Sequence, residues 1–160
     1  MRYRKNFMES NKQTEEVLQD LIRINNDRIA GYERAIKELE SGDDDLKILF
    51  AAMIAESHHA KLDLAEEVQV MGKDVENGTT SSGKIYRMWM DLKGVISGHN
   101  RNTILNDCHA GEDAAQKAYE AALAHEHFPS YLRNLVEMQK KTFKASHDEI
   151  KAFSKQEVES

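Results

Sequence analysis

The stretch that decides the fold runs from Leu18 to Leu39 and reads LQDLIRINNDRIAGYERAIKEL. Its apolar residues recur at intervals of three and four, which is the period of one face of an α-helix. The apolar positions are Leu18, Leu21, Ile22, Ile29, Tyr32, Ile36 and Leu39. The pattern predicts a long first helix that buries one face and ends at the turn Ser41-Gly42-Asp43.

Three further stretches with the same period predict helices at about 44–71, 100–124 and 129–155. Short links predict that the first and second helices, and the third and fourth, form antiparallel hairpins. The connection between the second and third is about 27 residues long and carries a shorter apolar segment, Ile85–Ile96. Such a crossover can start the third long helix beside the first turn. The sequence therefore predicts an all-α fold, a ferritin-like up-down-down-up four-helix bundle whose long crossover contains a short helix.

Length and composition indicate one domain and limit the classes of partner. The chain has 160 residues with a formal net charge of −6, 8 Gly, 1 Pro and 1 Cys. We predict a flexible N-terminal arm over residues 1–10, a helix start of capping-box form at Ser10–Gln13, and a single bundle domain over residues 11–157. The acidic charge argues against nucleic-acid binding, and no apolar run reaches the length of a membrane span. One cysteine allows no internal disulfide, so a cytoplasmic protein is expected.

Four segments carry a resemblance to a known family. They are NDRIAGY at residues 26–32 with Ala35, WMDLK at 89–93, GEDAAQKAYEAAL at 111–123, and Gln139 with the pair His147-Asp148. Over roughly residues 14–153 the chain resembles a bacterial family of ferritin-like four-helix-bundle proteins of unknown function. The resemblance implies the fold and brings no activity with it.

A di-iron centre is the chemistry that a ferritin-like fold suggests. Such centres take one Glu from each of two helices and a Glu-x-x-His motif from each of the other two. The candidate ligands here are Glu33, Glu56, His59, Glu112 and His147. At 100° per residue, Glu56 lies about 80° and His59 about 140° from the apolar stripe of their helix. Lys140, Phe143 and Lys144 stand where a second motif belongs, so no cofactor is expected and iron binding is kept as an alternative.

A buried polar layer is the favoured interpretation of the middle of the bundle. Glu112 lies within about 40° of the centre of its apolar stripe, and a buried charge needs a partner. The predicted layer consists of Asn25, Arg28, Glu112, Gln139 and His147. Glu112 would be hydrogen-bonded by Gln139 or Asn25, or paired with Arg28. His147 would lie inward, bonded to Tyr32 or to a carboxylate, with a role in binding a single metal ion or another ligand as the alternative.

The remaining histidines and the crossover carry weaker signals. Six histidines are scattered along the chain, and most of them are interpreted as surface residues: His58, His59, His99, His109, His125 and His127. Cys108 lies on an apolar stripe and is predicted to be a buried small side chain. The segment Ile85–Ile96 is predicted to cover one end of the bundle, with a dimer contact through Trp89 and Met90 as the alternative.

The favoured function is a non-catalytic binding or structural protein, with a stress-related role as one option. The first alternative is a di-iron oxidase or an iron-handling protein of the ferritin-like class. The second is a helical adaptor that works through the crossover segment. A homo-oligomer is an open option, and neither nucleic acid nor a membrane is an expected partner.

Overall fold

The computed structural model describes the backbone of residues 2–75 and 83–159 and the side chains of residues 11–75 and 83–156. Within these ranges the chain forms five α-helices and no β-strand, so the prediction of an all-α fold is confirmed. The helices are α1 (Arg2–Glu38), α2 (Asp44–Val70), α3 (Lys84–Leu92), α4 (Arg101–Leu123) and α5 (Ser130–Glu159). None of the described helices combines the length and the apolar character needed to cross a membrane.

The start of α1 differs from the prediction, whereas its end agrees. The sequence indicated a flexible arm over residues 1–10 and a helix start at Ser10–Gln13, but the backbone is helical from Arg2 onward. Arg, Lys, Met and Glu are good helix formers, so a polar segment can prolong a helix that the core anchors further along. Gly42 follows the end of α1 with a φ of 105°, the left-handed conformation that was predicted for this turn.

The first two helices run in opposite directions. The Gln19 side chain of α1 donates to the backbone oxygen of Asp74, just beyond α2, over 2.9 Å. Further along α1, the Arg28 guanidinium donates to the backbone oxygen of Met53 over 3.1 Å. A later residue of α1 thus meets an earlier residue of α2, as in an antiparallel hairpin.

The last two helices form a second antiparallel pair. Tyr119 of α4 donates to Gln139 of α5, and Gln116, slightly earlier in α4, donates to the backbone oxygen of Lys140. The start of α4 lies beside the start of α2, because the Arg101 guanidinium forms ion pairs with Asp43 and Asp45 at 3.1 and 2.6 Å.

The core consists of two apolar clusters with buried polar residues between them. The larger cluster draws on all five helices and includes Leu21, Leu64, Trp89, Tyr119 and Phe143. The smaller lies toward the α1–α2 turn and includes Tyr32, Phe50, Ile104, Cys108 and Ile150. Along each long helix the two clusters leave a gap, and the buried polar side chains Arg28, Ser57, Glu112 and Ser146 fall in these gaps. Polar groups are therefore concentrated at mid-height, as a polar layer requires.

Helix α3 packs against the flank of α1 and α4, and this differs from the predicted cover at an end of the bundle. Two aspartates of α1 hold it. Asp20 accepts the backbone amides of Gly83 and Tyr86 at 3.0 and 3.1 Å, which caps the start of α3. Asp27 accepts the Tyr86 hydroxyl at 2.7 Å and the Trp89 indole N–H at 3.0 Å. Of the two contacts named for the dimer alternative, Trp89 is buried and Met90 is exposed.

Candidate functional site

The centre of the polar layer is an ion pair between α1 and α4. Asn100 starts α4 with a capping box, in which its side chain accepts the amide of Thr103, and the helix then carries Glu112 to mid-height. Both Arg28 and Glu112 are buried, and the guanidinium NH2 lies 2.9 Å from Glu112 Oε1. Arg28 Nε donates to the same oxygen over 2.9 Å. Of the partners predicted for Glu112, the structure gives it Arg28.

Arg28 also reaches α2 and two aromatic rings. Its NH1 group donates to Ser57 Oγ over 2.8 Å, and its NH2 group lies 3.5 Å from Glu56 Oε2. The guanidinium carbon lies 4.2 Å from the centre of the Phe143 ring and 5.3 Å from that of Tyr32. Burial lowers the pKa of Arg28, but Glu112, Tyr32 and Glu56 outweigh this effect and the pKa is raised from its ordinary value. The side chain therefore stays a cation.

Tyr32 completes the surroundings of the Glu112 carboxylate. Its hydroxyl donates to Oε1, the same oxygen that accepts from Arg28. Burial, followed by the charge of Glu112, raises the pKa of Tyr32 well above its ordinary value, so the phenol remains a proton donor at neutral pH. The other carboxylate oxygen, Oε2, is buried and has no hydrogen-bond partner among the described residues.

The other predicted members of the polar layer form a separate group. Asn25 donates to the Tyr119 hydroxyl over 3.0 Å, and this hydroxyl donates to Gln139 Oε1 over 2.7 Å. Gln139 in turn donates to the backbone oxygen of Ala60 over 3.2 Å. Asn25 and Gln139 are thus buried and joined through the Tyr119 hydroxyl, and no hydrogen bond links either of them to Glu112 among the described residues.

A cavity of about 250 Å³ opens beside the ion pair, between α1 and α4 and beneath α3 with the loop that follows it. Glu112 and Arg28 lie on its wall together with Trp89, Ile96 and Cys108. Two glycines in the middle of helices, Gly31 and Gly111, also line it, and a Cβ added at either would meet no neighbouring atom within 4 Å. The space next to these glycines is therefore open.

Comparison with known proteins identifies the family of the chain. A family model described as domain of unknown function (DUF2383) matches residues 13–125. The chain belongs to this family. No curated protein matches it. The DUF2383 match ends before α5, and it contains every residue that lines the cavity, from Asp27 to Glu112. The description of the DUF2383 family contains no fold and no activity, so the ferritin-like topology is not part of what the match shows.

The five candidate metal ligands do not fit a di-iron centre in this DUF2383 protein. Glu33 and His59 are exposed. Glu56 is partly buried and accepts the Ser146 hydroxyl at 2.7 Å. The Arg28 guanidinium contacts both Glu56 and Glu112, so a protein cation occupies the position between the two carboxylates. Donors that already neutralise an arginine do not offer two metal ions the charge they need.

The prediction that His147 belongs to the buried polar layer is wrong, because its side chain is 13% exposed and lies on a flank. The prediction that it bonds to Tyr32 or to a carboxylate is confirmed for the carboxylate. Nε2 lies 2.6 Å from Asp113 Oδ1, and Nδ1 lies 3.2 Å from Asp148 Oδ1. The helical period placed the residue on the correct helix, but the packing of α5 against α4 directs it to the flank between these two helices.

The sequence did not lead us to predict the polar contacts of three residues. His109 was interpreted as a surface residue, yet it is partly buried and its ring centre lies 4.9 Å from that of His147. The spacing of His109 and Asp113, four residues apart on one helix, was a signal for a shared face. Tyr32 and Tyr119 were assigned to apolar stripes, but each hydroxyl holds a buried polar side chain. A tyrosine on a stripe that also carries buried polar groups could have indicated this role.

Proposed function

We propose that this protein is a non-catalytic binding protein that holds one small molecule in the cavity between α1 and α4. The observation that carries the proposal concerns the Oε2 atom of the Glu112 carboxylate. It belongs to a residue on the cavity wall, and it is a buried carboxylate oxygen with no hydrogen-bond partner among the described residues. Unsatisfied buried acceptors cost about 1–3 kcal/mol, and a ligand that donates a hydrogen bond removes that cost.

The two glycines of the cavity support the same conclusion. Glycine in the middle of a helix is less stable than alanine by roughly 0.5–1 kcal/mol. The protein's own packing does not demand glycine at residues 31 and 111, since an added Cβ would meet no neighbouring atom within 4 Å. A bound molecule that fills this space accounts for both glycines.

The walls indicate the class of ligand. Drug-sized ligands occupy sites of about 300–1,000 Å³, and the volume here, about 250 Å³, suits a smaller molecule. Trp89, Ile96 and Cys108 offer apolar surface. Glu112 also lines the cavity, and its covered Oε2 would offer an acceptor once the carboxylate turns toward the ligand. The expected ligand is a short apolar body with one hydroxyl, amide or amine donor.

Binding without catalysis is favoured by the state of the groups that could act as nucleophiles. Burial, and then the charge of Glu112, raises the pKa of Cys108 far above its ordinary value, so the thiol is not ionised at neutral pH. The pKa of Tyr32 is also raised well above its ordinary value, chiefly by burial. Neither group supplies an activated nucleophile to a molecule in the cavity.

Benzyl alcohol and toluene form a matched pair of probes, because they share an apolar body and only the alcohol has a donor. In an NMR titration, benzyl alcohol should shift the backbone signals of Gly31 and Gly111 and the Trp89 indole signal. Toluene should bind about 10–150-fold more weakly, because a hydrogen bond to a charged group contributes about 1.5–3 kcal/mol. A panel of small alcohols and amides extends the search for the preferred ligand.

Filling the cavity provides the variant that tests the site. Gly111→Leu should abolish the shifts, and Ala110→Leu, which adds the same side chain at an exposed neighbouring position of α4, should preserve them. Shifts that persist unchanged in Gly111→Leu, or a panel in which no compound perturbs the cavity signals, would contradict the proposed function.

We further propose that the four long helices form the ferritin-like up-down-down-up bundle, with α3 in the crossover. Three observations support this topology. Asn25 contacts Tyr119 while Tyr32 contacts Glu112, so α1 runs opposite to α4 as well as to α2. Gln139 contacts the backbone of Ala60 and Ser146 contacts Glu56, so α5 runs opposite to α2. The ion pairs of Arg101 bring the start of α4 beside the start of α2.

A further inference from the structure

A second cluster of reactive side chains lies on the flank between α4 and α5. His109 and Asp113 of α4 and His147 of α5 each offer one ligand atom, and these atoms all lie within 4.8 Å of one another. We propose that these three side chains bind a single divalent transition-metal ion of the Zn²⁺ class. The site is built from residues that the binding proposal for the cavity does not use, so either proposal can fail alone.

The helices bring the three donors together in a simple way. His109 and Asp113 are four residues apart, so they lie on one face of α4 about one turn from each other. The antiparallel α5 places His147 opposite them, with Nε2 at 2.6 Å from Asp113 Oδ1. His109 Nδ1 lies 3.6 Å from Asp113 Oδ2.

These distances suit a metal that enters by small side-chain rotations. Around Zn²⁺ with bonds of about 2.0–2.1 Å, tetrahedral ligand atoms stand roughly 3.3 Å apart. The His147–Asp113 pair at 2.6 Å must open slightly, and the more widely spaced ligand atoms, which all lie within 4.8 Å of one another, must move closer together. The carboxylate of Asp113 is 49% exposed, which gives it freedom to rotate and gives the ion a path from solvent.

The second, independent observation is that the buried Nε2 of His109 has no hydrogen-bond partner among the described residues. The other ring nitrogen, Nδ1, lies 3.6 Å from Asp113 Oδ2, beyond hydrogen-bond distance. A neutral imidazole has one donor and one acceptor nitrogen, and a buried ring nitrogen normally has a partner. Coordination of a cation by the acceptor nitrogen would satisfy part of this unmet capacity.

His147 has the arrangement that metal-binding histidines usually have. Its Nε2 faces the cluster, while its Nδ1 lies 3.2 Å from Asp148 Oδ1. A carboxylate on the far nitrogen of an imidazole fixes the tautomer and directs the other nitrogen toward the metal. Asp148 is itself held by Lys144, whose ammonium lies 2.6 Å away.

The donor set selects the kind of ion. Two imidazoles and one carboxylate form the three-ligand set of zinc sites that keep a further position for water. Imidazole nitrogen binds Zn²⁺, Co²⁺, Ni²⁺ and Cu²⁺ well, whereas Mg²⁺ and Ca²⁺ prefer oxygen ligands. The cluster should therefore bind one Zn²⁺ per chain and should not bind Mg²⁺.

The test is a calorimetric titration of the chelator-treated full chain with Zn²⁺ at pH 7, with Mg²⁺ in a parallel arm. The expected result is one Zn²⁺ per chain and no Mg²⁺ binding. His109→Ala and Asp113→Asn should each weaken Zn²⁺ binding by at least about 10-fold, and Asp148→Asn, which acts through His147, by about 10–100-fold. Co²⁺ in place of Zn²⁺ should give a visible absorption band that disappears in His109→Ala.

The matched control removes two other histidines. His125 and His127, in the turn after α4, have ring centres 5.8 Å apart and form a competing pair for metal ions. His125→Ala combined with His127→Ala should leave the affinity for Zn²⁺ unchanged. Loss of binding in this double variant, unchanged binding in His109→Ala, or the absence of binding in the unaltered chain would each overturn the proposal. Since His109 makes no hydrogen bond within the part of the chain that the structure describes, its replacement should not disturb folding, which circular dichroism in EDTA verifies.

Discussion

The guanidinium of Arg28 and the carboxylate of Glu112 form a 2.9 Å ion pair inside the protein, although the two residues are 84 positions apart in the chain. The pair joins α1 to α4, and the same guanidinium contacts Ser57 and Glu56 of α2. One arginine thus fixes the relative height of three helices. Burial of two charges is tolerated only because they neutralise each other and because hydrogen bonds surround them.

Removal of one member of this pair should be far more harmful than removal of both. Glu112→Gln or Arg28→Met leaves an uncompensated buried charge or polar group and should lower the free energy of unfolding by about 3–5 kcal/mol. The double variant should lose much less free energy of unfolding than the sum of the losses of the two single variants. Urea unfolding of the four proteins measures this coupling, and additive losses would show that the pair is not coupled.

The docking of α3 should depend on Asp27, which accepts from both Tyr86 and Trp89. Asp27→Ala removes the acceptor of two hydrogen bonds, each of which contributes about 1 kcal/mol. The emission of Trp89, the single tryptophan of the chain, should shift to longer wavelength as water reaches the ring. Glu33→Ala, at an exposed acid of the same helix, should leave the emission unchanged. Identical spectra for the two variants would contradict the assigned role of Asp27.

Alkaline pH should destabilise the protein, in part through ionisation of Tyr86. Burial, followed by the hydrogen bond to Asp27, raises the pKa of Tyr86 from 10.0 to about 12. A folded pKa above the unfolded value means that the stabilisation is fully present below about pH 10 and is lost as the pH rises through about 12. Tyr86→Phe should therefore reduce the slope of stability against pH in this window. Part of the slope should remain, since burial also raises the pKa values of Tyr32 and Tyr119. An unaltered slope would contradict the hydrogen bond to Asp27.

Two glycine-to-alanine changes should alter the free energy of unfolding in opposite directions. Gly111→Ala places a methyl group into open space in a helix and should raise the free energy of unfolding by about 0.5–1 kcal/mol. Gly83→Ala should lower it, because the added Cβ would lie 2.4 Å from Asp20 Oδ2, in the cap of α3. Thermal unfolding distinguishes the two. A destabilised Gly111→Ala protein would mean that the space beside this residue is not open.

Cys108 should react slowly in the native protein. It is buried on the cavity wall, and burial raises the pKa of its thiol far above the ordinary range. Alkylation by iodoacetamide at pH 8 should be at least about 100-fold slower in the native state than in urea, because burial keeps the thiol protonated. The Cys108→Ser variant, which has no thiol, is the negative control. Equal rates in the two states would show that the thiol ionises as readily in the native protein as in the unfolded chain.

Periodicity predicted the helices, and the facing of individual residues was predictable only in part. The stripe around Leu18–Leu39 placed α1, and the position of Glu112 on its stripe indicated a buried charge with Arg28 among its partners. The same reasoning failed for His147, because a flank position between two helices depends on how α5 packs on α4. A small error in the phase of a long helix is enough to move such a residue from the interior to the flank.

The cavity was beyond sequence reasoning for a different reason. A void is defined by atoms that are missing, here at Gly31 and Gly111, and by an element that closes over it. The place of α3 depends on Asp20 and Asp27, two acids on the side of α1 away from its apolar stripe. Their partners, Gly83, Tyr86 and Trp89, are about 60 residues away along the chain. No local pattern links residues at that separation.

Arg28 gives the inner carboxylates a counter-ion that is encoded in the polypeptide. This cation is a side chain of the protein itself, so a chelator cannot remove it. Its raised pKa keeps it charged at any pH that a cell experiences. It has no second oxidation state, so the contacts among α1, α2 and α4 hold in the same way whether the surroundings are oxidising, reducing or starved of metal.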